Sequence, residues 1–286
     1  MSGIIEETRF IMNKYNIKAN KSLGQNFLIN NEAINKIVES SNVESEDLII
    51  EIGPGLGTLT NELLKKAGKV ICIELDSKMV NILKDRFKLF NNFEIINQDV
   101  LKVDLNELIQ KEIETKKIKK AKIVANLPYY ITTPIIMKLL EEKLNLESIT
   151  VMIQKEVADR LIAVPGSKNT GAITYSVYYY AEAEAIMEVP KESFIPAPEV
   201  TSKVIKLNIR KAPPVEIENE KLMFKIIKNA FMQRRKTLLN SLTNSKIFKD
   251  KEYGIKVLEN IGLDSNIRAE NLKIEDYANL AKSISI

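Results

Sequence analysis

The chain has 286 residues, 42 of them basic and 38 acidic, with one cysteine and no histidine. Hydrophobic residues make up 45% and charged residues 28%, a globular composition that excludes a disordered chain, a coiled coil and a collagen-like chain. A lone Cys72 permits no disulfide framework, and a histidine-free chain has no histidine base, no Ser-His-Asp triad and almost no ligands for a metal such as zinc. No run approaches the roughly 18 apolar residues of a membrane span. Met1–Phe10 has no apolar segment of a signal peptide, so a cytoplasmic protein without a membrane partner is expected.

In chain order, Asp47–Ile52 reads as a buried strand running into Gly53-Pro54-Gly55-Leu56-Gly57, with Thr58–Lys66 as the following helix. Lys69–Leu75 is a second strand and Ser77–Phe90 a second helix, with Asp76 placed to cap it. Phe93–Asp99 is a third strand, and Ile123–Leu127 a fourth after a lysine-rich connection over Lys111–Lys122. Pro134–Lys143 reads as a helix and Ser148–Gln154 as a fifth strand. This alternation predicts an α/β fold with a mostly parallel sheet and helices on both faces. After about residue 170 the alternation stops. Ile173–Tyr180, Ala185–Val189 and Thr201–Ile209 read as strands, two of which could form an antiparallel edge. Phe194–Glu199 is too proline-rich for regular structure. Lys211–Pro214 reads as a linker from a domain over residues 1–210 to a helical one over 211–286, with helices at Leu222–Leu242, Lys251–Ile261 and Ile274–Ser283.

The excess positive charge is local. Residues 1–210 carry 28 basic and 28 acidic groups, and residues 211–286 carry 14 and 10. Lys221–Lys236 holds six basic residues and no acid, and Thr8–Asn31 is a second acid-free run with Arg9, Lys14, Lys18 and Lys21. Such runs attract polyanions, although a lysine-rich face also serves simply as solvated surface. If Leu222–Leu239 is one helix, Leu222, Ile226 and Ala230 form its apolar stripe. Lys221, Lys225, Lys228, Arg235 and Lys236 then share a stripe about 100° wide, suited to the phosphates of a polyanion, and Arg234 points elsewhere.

The glycine run lies between a predicted strand and a predicted helix, where glycines let backbone turn tightly and approach a ligand. Its spacing is G-x-G-x-G with Thr58 next, unlike the G-x-G-x-x-G of dinucleotide sites. Glu74 ends the second strand, where doubly wound sheets place a carboxylate for ribose hydroxyls, and Asp99 ends the third. Any one of these could be a plain turn with capping acids. Gly53, Gly55, Gly57, Glu74 and Asp99 together predict a nucleoside-bearing ligand. With Glu51 ahead of it, the loop resembles the S-adenosylmethionine loop of class I methyltransferases.

The fourth strand ends in Asn126-Leu127-Pro128-Tyr129-Tyr130. An exocyclic aromatic amine is a poor nucleophile because its lone pair is delocalised into the ring. Two acceptors aimed at its two N–H groups favour the sp3 state that attacks a methyl group. The Asn126 side-chain oxygen and the Leu127 carbonyl are candidates, Pro128 presets the backbone, and Tyr129 offers a face for an extruded base. No general base is required, because the donor is a cationic sulfonium and the proton can leave to water.

These segments carry a family. The chain resembles the ribosomal RNA adenine N6-dimethyltransferases, and within them the bacterial 16S rRNA branch, over about residues 8–286. The resemblance rests on Lys21–Leu28, the glycine loop, Asn126–Tyr129 with Thr132-Thr133-Pro134, Gln154–Arg160, Pro165–Lys168, Phe194–Ser202 and Gln233–Leu238. It implies a class I, Rossmann-like methyltransferase with a seven-stranded sheet and a small helical C-terminal domain that binds RNA or the ribosome. It implies an S-adenosylmethionine site of Asn26, Leu28, Gly53, Glu74, Asp99 and Asn126, with Asn26 and Leu28 closing over the methionine end. It gives Asn126 and Leu127 as amine acceptors, Tyr129 as the stacking residue and Phe194 as a second aromatic wall. Members transfer four methyl groups to two adjacent adenosines in a hairpin loop of 16S rRNA, within the small ribosomal subunit or its precursor. They also serve as a late assembly checkpoint, and a monomer without metal is expected. Tyr130 departs from the asparagine common in the family. A 23S rRNA or DNA adenine methyltransferase is the alternative on the same chemistry, and a non-catalytic assembly factor on the same scaffold is another. A nicotinamide oxidoreductase is disfavoured by Thr58 and the absence of histidine.

Overall fold

The apolar runs of the first half pair into one mixed sheet. The computed structural model describes residues 2–20, 23–115, 117–167, 169–233 and 235–284. Lys21, Ser22, Lys168 and Arg234, which belong to segments singled out above, lie outside the described residues. Internal contacts divide the chain into two units, residues 1–158 with 183–209, and residues 159–182 with 210–286. The C-terminal part of the second unit begins at 210, one residue before the expected boundary, but the unit also takes 159–182, which the sequence reading places in the first domain.

The first unit opens with α1 (Ser2–Lys14), β1 (Phe27–Leu28) and α2 (Asn31–Ser40). The alternating region follows as β2 (Asp47–Ile52), α3 (Thr58–Leu64), β3 (Lys69–Glu74), α4 (Ser77–Arg86), β4 (Phe93–Asn97), α5 (Leu105–Glu114), β5 (Lys120–Asn126), α6 (Thr132–Glu141) and β6 (Ser148–Gln154). Beyond α7 (Lys155–Leu161) and α8 (Ala172–Tyr180) come β7 (Ala181–Val189), β8 (Phe194–Ile195) and β9 (Ser202–Ile209). The sheet order is β4-β3-β2-β5-β6-β9-β7. β4, β3, β2, β5 and β6 run parallel, and β9 is antiparallel to β6. β1 and β8 pair separately, with Leu28 opposite Phe194. β2 has β3 on one side and β5 on the other, so the strand order reverses there and opens the crevice in which such sheets bind ligands. All six residues of β2 are buried, as expected for a central parallel strand. Ile34 and Ile37 of α2 and Leu59 and Leu63 of α3 pack in one core with Ile49, Val70 and Cys72 of the sheet. The capping role expected of Asp76 is observed, since its side chain accepts from the Lys78 amide.

Three elements differ from the sequence expectation. Ile173–Tyr180 is helical, although its β-branched and aromatic residues favour a strand. Tertiary packing in the second unit overrides that preference. The Tyr175 hydroxyl donates to the Leu272 carbonyl at 2.6 Å, and its ring meets Tyr277 edge-on at 4.9 Å. β5 begins at Lys120, inside what read as a lysine-rich connection. Lys122 is 1% exposed and is tolerated there because its ammonium donates to Asp47 at 2.7 Å and to the Asn42 carbonyl at 2.6 Å. The single helix expected over Leu222–Leu242 is two, α9 (Glu220–Met232) and α10 (Leu238–Asn244), and Thr237 caps the second. α11 (Lys251–Asn260) and α12 (Ile274–Ser283) complete the second unit. α1, α2, α5 and α7 are helices that the strand-and-loop reading passed over, and Phe194–Ile195 is a short strand, ahead of the prolines, where no regular structure was expected.

Gly57 caps α3 at φ +79°, and a Cβ there would lie 2.6 Å from Leu83 and Phe87 side-chain atoms of α4 and its end. This glycine sets how closely the helix following β2 approaches α4. Beneath the loop, Glu51 is 1% exposed and accepts from Thr60 at 2.6 Å and from the Cys72 thiol at 3.6 Å. Burial pushes its carboxyl up to about 7 from the ordinary 4.5, against the opposing hydrogen bonds from Thr60 and Cys72. Between these two values the native protein holds a proton that the unfolded chain releases, so stability falls as pH rises through the window. The loss reaches about 3 kcal/mol above pH 7. Glu51→Gln, which cannot ionise, will flatten the decline in urea-unfolding stability between pH 4.5 and 8. Parallel curves for variant and wild type would show that Glu51 ionises normally in the fold.

Candidate functional site

The carboxyl ends of β2, β3, β4 and β5 converge on one cavity of about 280 Å³, whose wall includes Gly53, Gly55, Glu74, Asp99 and Asn126. The segment leading into β1 supplies another part of the wall, including Asn26 and Leu28. Gly53 and Gly55 of the glycine loop, the strand-end acids and the N-terminal Asn26 and Leu28 are thus brought together, whereas Gly57 is not on the wall and serves the start of α3 instead.

Each is placed by its element. Gly53 leaves β2 at φ +68°, and its amide donates to the Ile73 carbonyl of β3 at 2.9 Å. A Cβ on Gly53 would lie 3.4 Å from the Pro128 ring, so the glycine admits the turn after β5. Glu74 is the last residue of β3 and is 8% exposed. Burial raises its pKa, while backbone amides of Asp76, Gly55 and Leu75 act the other way; the Asp76 amide donates to it at 2.8 Å. Asp99 follows β4 and accepts from the Leu101 amide at 3.0 Å. In the N-terminal segment, Gln25 donates to Asp76 at 2.9 Å, tying that wall to the start of α4.

The turn after β5 sits opposite. The Asn126 amide nitrogen donates to the Asn26 carbonyl at 3.4 Å, and among the described residues no donor reaches its oxygen. The Leu127 amide is bound to the Met152 carbonyl at 3.1 Å. Pro128 holds φ at −60° and ψ at 130°, and Tyr129–Ile131 form a 3-10 turn. Tyr129 lines the cavity half-buried, with its hydroxyl 2.5 Å from that of Ser202. Burial raises the Tyr129 pKa, and the Ser202 hydrogen bond opposes it. Tyr130 is 56% exposed at the rim, beside Gly24. Burial and then the charges of Asp99 and Glu74 push its phenol pKa up, which marks it as a neighbour of both carboxylates.

Phe194, expected as a second aromatic wall, is not part of the cavity wall. It is 3% exposed and packed in the core with Leu28, Met152 and Val204, because its strand pairs with β1. In the second unit, Lys221, Lys225 and Lys228 are exposed along α9, whose apolar face buries Leu222, Ile226 and Ala230. Arg235 and Lys236 are exposed but lie in the break between α9 and α10, so they do not continue that stripe. Sequence reasoning missed Gln25, Gln98 and Ser202. Gln98 sits one position before Asp99 in the turn that meets the cavity, which a closer reading of that strand end could have found.

Chemically, the cavity is apolar with three acids, Glu51, Glu74 and Asp99, and no basic residue among the described residues that line it. Such a wall favours hydroxyl-bearing or cationic ligands over phosphates.

A family model described as Ribosomal RNA adenine dimethylase matches residues 16–285. A curated relative from Alkaliphilus metalliredigens, Ribosomal RNA small subunit methyltransferase A, is 47% identical over 98% of this chain and 96% of its own length. The crystal structure of a dimethyladenosine transferase from Plasmodium falciparum superposes with a TM-score of 0.73 at 28% identity, covering 89% of this chain and 95% of that one. The structure of the 23S rRNA methyltransferase ErmE shares the fold, with a TM-score of 0.67 at 22% identity over 91% of this chain and 99% of that one. The chain is a methyltransferase of the ribosomal RNA adenine dimethylase family.

Proposed function

We propose that the protein transfers methyl groups from S-adenosylmethionine to the N6 atoms of two adjacent adenosines in 16S rRNA. It would act on the small ribosomal subunit or its precursor, in the cytoplasm. The observation that carries this reading is the juxtaposition, in one cavity, of a phosphate-averse carboxylate wall and the Asn126–Tyr129 turn. S-adenosylmethionine fits that donor set: ribose hydroxyls suit Glu74, an adenine suits the Asp99 turn, and a cationic centre suits a wall with three acids and no described base. Asn26 and Leu28, on the cavity wall, would enclose the methionine end. When bound there, the donor supplies an electrophilic methyl on a positively charged sulfur.

The chain's own residues do the rest. Asn126 Oδ1 and the Leu127 carbonyl accept from the two N–H groups of the target amine and favour its sp3 form. These acceptors sit on the end of a buried strand, so they are preorganised before substrate arrives. Tyr129 presents a half-buried ring on which an unpaired adenine can stack, which favours a loop over a duplex. The amine proton leaves to water after transfer, so no histidine is needed. The exposed lysines of α9, with Arg235 and Lys236 beyond its end, attract RNA phosphates without reading sequence. The small-subunit assignment rests on the relative of 47% identity, named for that subunit over nearly its whole length; the 23S enzyme, at 22%, supports the fold alone.

Labelled methyl transfer to unmethylated 30S subunits, followed by nuclease digestion, will yield N6,N6-dimethyladenosine. Asn126→Ala will lower the rate by about 10²-fold or more, the scale of losing a preorganised acceptor or donor at a reacting group. Label in 50S subunits or DNA but not in 30S would overturn the substrate. Donor binding without transfer would favour the assembly-factor reading. Exchanging Lys225, Lys228 and Arg235 for alanine will weaken 30S binding. It will also reduce the slope of log K against log salt by roughly 2, at about 0.7–0.9 per phosphate contact. An unchanged slope would remove these residues from the RNA surface.

A further inference from the structure

We infer that Ser202 is a positioning residue that fixes the Tyr129 ring as a base platform, an inference that rests on the stacking role proposed for Tyr129. β9 is antiparallel to β6, with Ser202 opposite Gln154, so the first residue of β9 lies at the carboxyl end of the parallel strands. That is the edge where Asn126 ends β5 and the Asn126–Tyr129 turn begins. The segment Phe194–Ser202 enters the functional edge here through its last residue, Ser202, which is hydrogen-bonded to Tyr129.

The Ser202 side chain is fully buried, and its hydroxyl lies 2.5 Å from the Tyr129 hydroxyl. No other hydrogen-bond partner of the Ser202 side chain is found among the described residues. The bond therefore joins the one polar atom of the Tyr129 ring to β9, a strand of the sheet paired on both sides, by β6 and β7. At its other end the ring is carried by the 3-10 turn that Pro128 starts. Held at Cα and at the hydroxyl, the ring has little freedom to rotate about χ1. A flip about its own axis leaves the hydroxyl in place and presents an equivalent face. Phe194 is packed in the core, and of the rings that line the cavity Phe27 is buried in a core cluster and Tyr130 is exposed at the rim. Tyr129 is therefore the half-buried ring next to the Asn126–Leu127 acceptors whose orientation sets the platform. Orientation of a stacked base relative to the methyl donor bears on the chemical step, where small misplacements are costly.

The test measures methyl transfer to 30S subunits and equilibrium binding of S-adenosylmethionine for Ser202→Ala, Tyr129→Phe, the double variant and Tyr129→Ala. Ser202→Ala and Tyr129→Phe will each lower kcat by about three- to tenfold, the scale of one net hydrogen bond. Donor Kd will stay unchanged, and the double variant will be no slower than the slower single, because both remove the same bond. A serine that served only to pack β9 would instead affect stability and donor binding without this non-additivity. Wild-type kcat in Ser202→Ala, or losses that multiply in the double variant, would overturn the inference. If Ser202→Ala does not fold, Tyr129→Phe decides alone, and an unchanged kcat there overturns it. Tyr129→Ala separates the two levels. Full activity in that variant defeats the platform itself, whereas its loss beside a fully active Ser202→Ala defeats only the role of Ser202.

Discussion

The site depends on one backbone constraint, the path taken at the end of β2. Gly53, Gly55 and Gly57 all adopt left-handed φ within five residues, a turn that residues with side chains rarely adopt. The turn brings the loop under the Asn-Leu-Pro-Tyr segment, where a Cβ on Gly53 would meet Pro128. It also starts α3 close against Leu83 and Phe87. The parallel strands on either side then deliver their terminal residues to the same edge. The carboxylate wall and the Asn126–Tyr129 turn are thus two consequences of one reversal in strand order.

Electrostatics sorts the ligands that such an edge can hold. Helix N-termini and glycine loops at strand ends commonly receive phosphates. Here Glu51, Glu74 and Asp99 line the cavity, and no described lining residue balances them. Burial disfavours the charged forms of Glu51 and Glu74, which increases the advantage of a ligand that brings hydroxyl donors or positive charge. The acceptor roles proposed for Asn126 and Leu127 extend the same logic to the substrate, since an amine is read through its N–H groups.

Much of this was legible in the sequence, for identifiable reasons. β2, β3 and β6 are dominated by apolar runs, and Gly53 after β2 and Glu74 at the end of β3 mark where two of them stop. β5 was read three residues late because Lys120 and Lys122 look like loop, and only the structure shows Asp47 waiting for the buried ammonium. α8 was hidden by its own tyrosines and β-branched residues, whose partners Leu272 and Tyr277 are about a hundred positions away. The break between α9 and α10 carries neither proline nor glycine; it is marked by the Thr237 cap and by the Leu238 amide bonding to the Ile267 carbonyl. Asn26 and Leu28 came from family resemblance alone, since no local spacing connects them to the sheet. Ser202 was visible only as part of a motif, because its meaning depends on the antiparallel register of β9. Phe194 shows the reverse case, a motif aromatic whose place in the core follows from the β1–β8 pairing.

The reading proposed for this cavity turns on the acid at the end of β3 holding a ribose-bearing cationic donor. Calorimetric titration of S-adenosylmethionine into wild type and Glu74→Gln, with NAD as competitor, is the sharpest test. Glu74→Gln will raise Kd by about tenfold or more, the scale of a charge-assisted hydrogen bond, and NAD will not displace the donor. Equal affinity in the two proteins, or displacement by NAD, would contradict that reading.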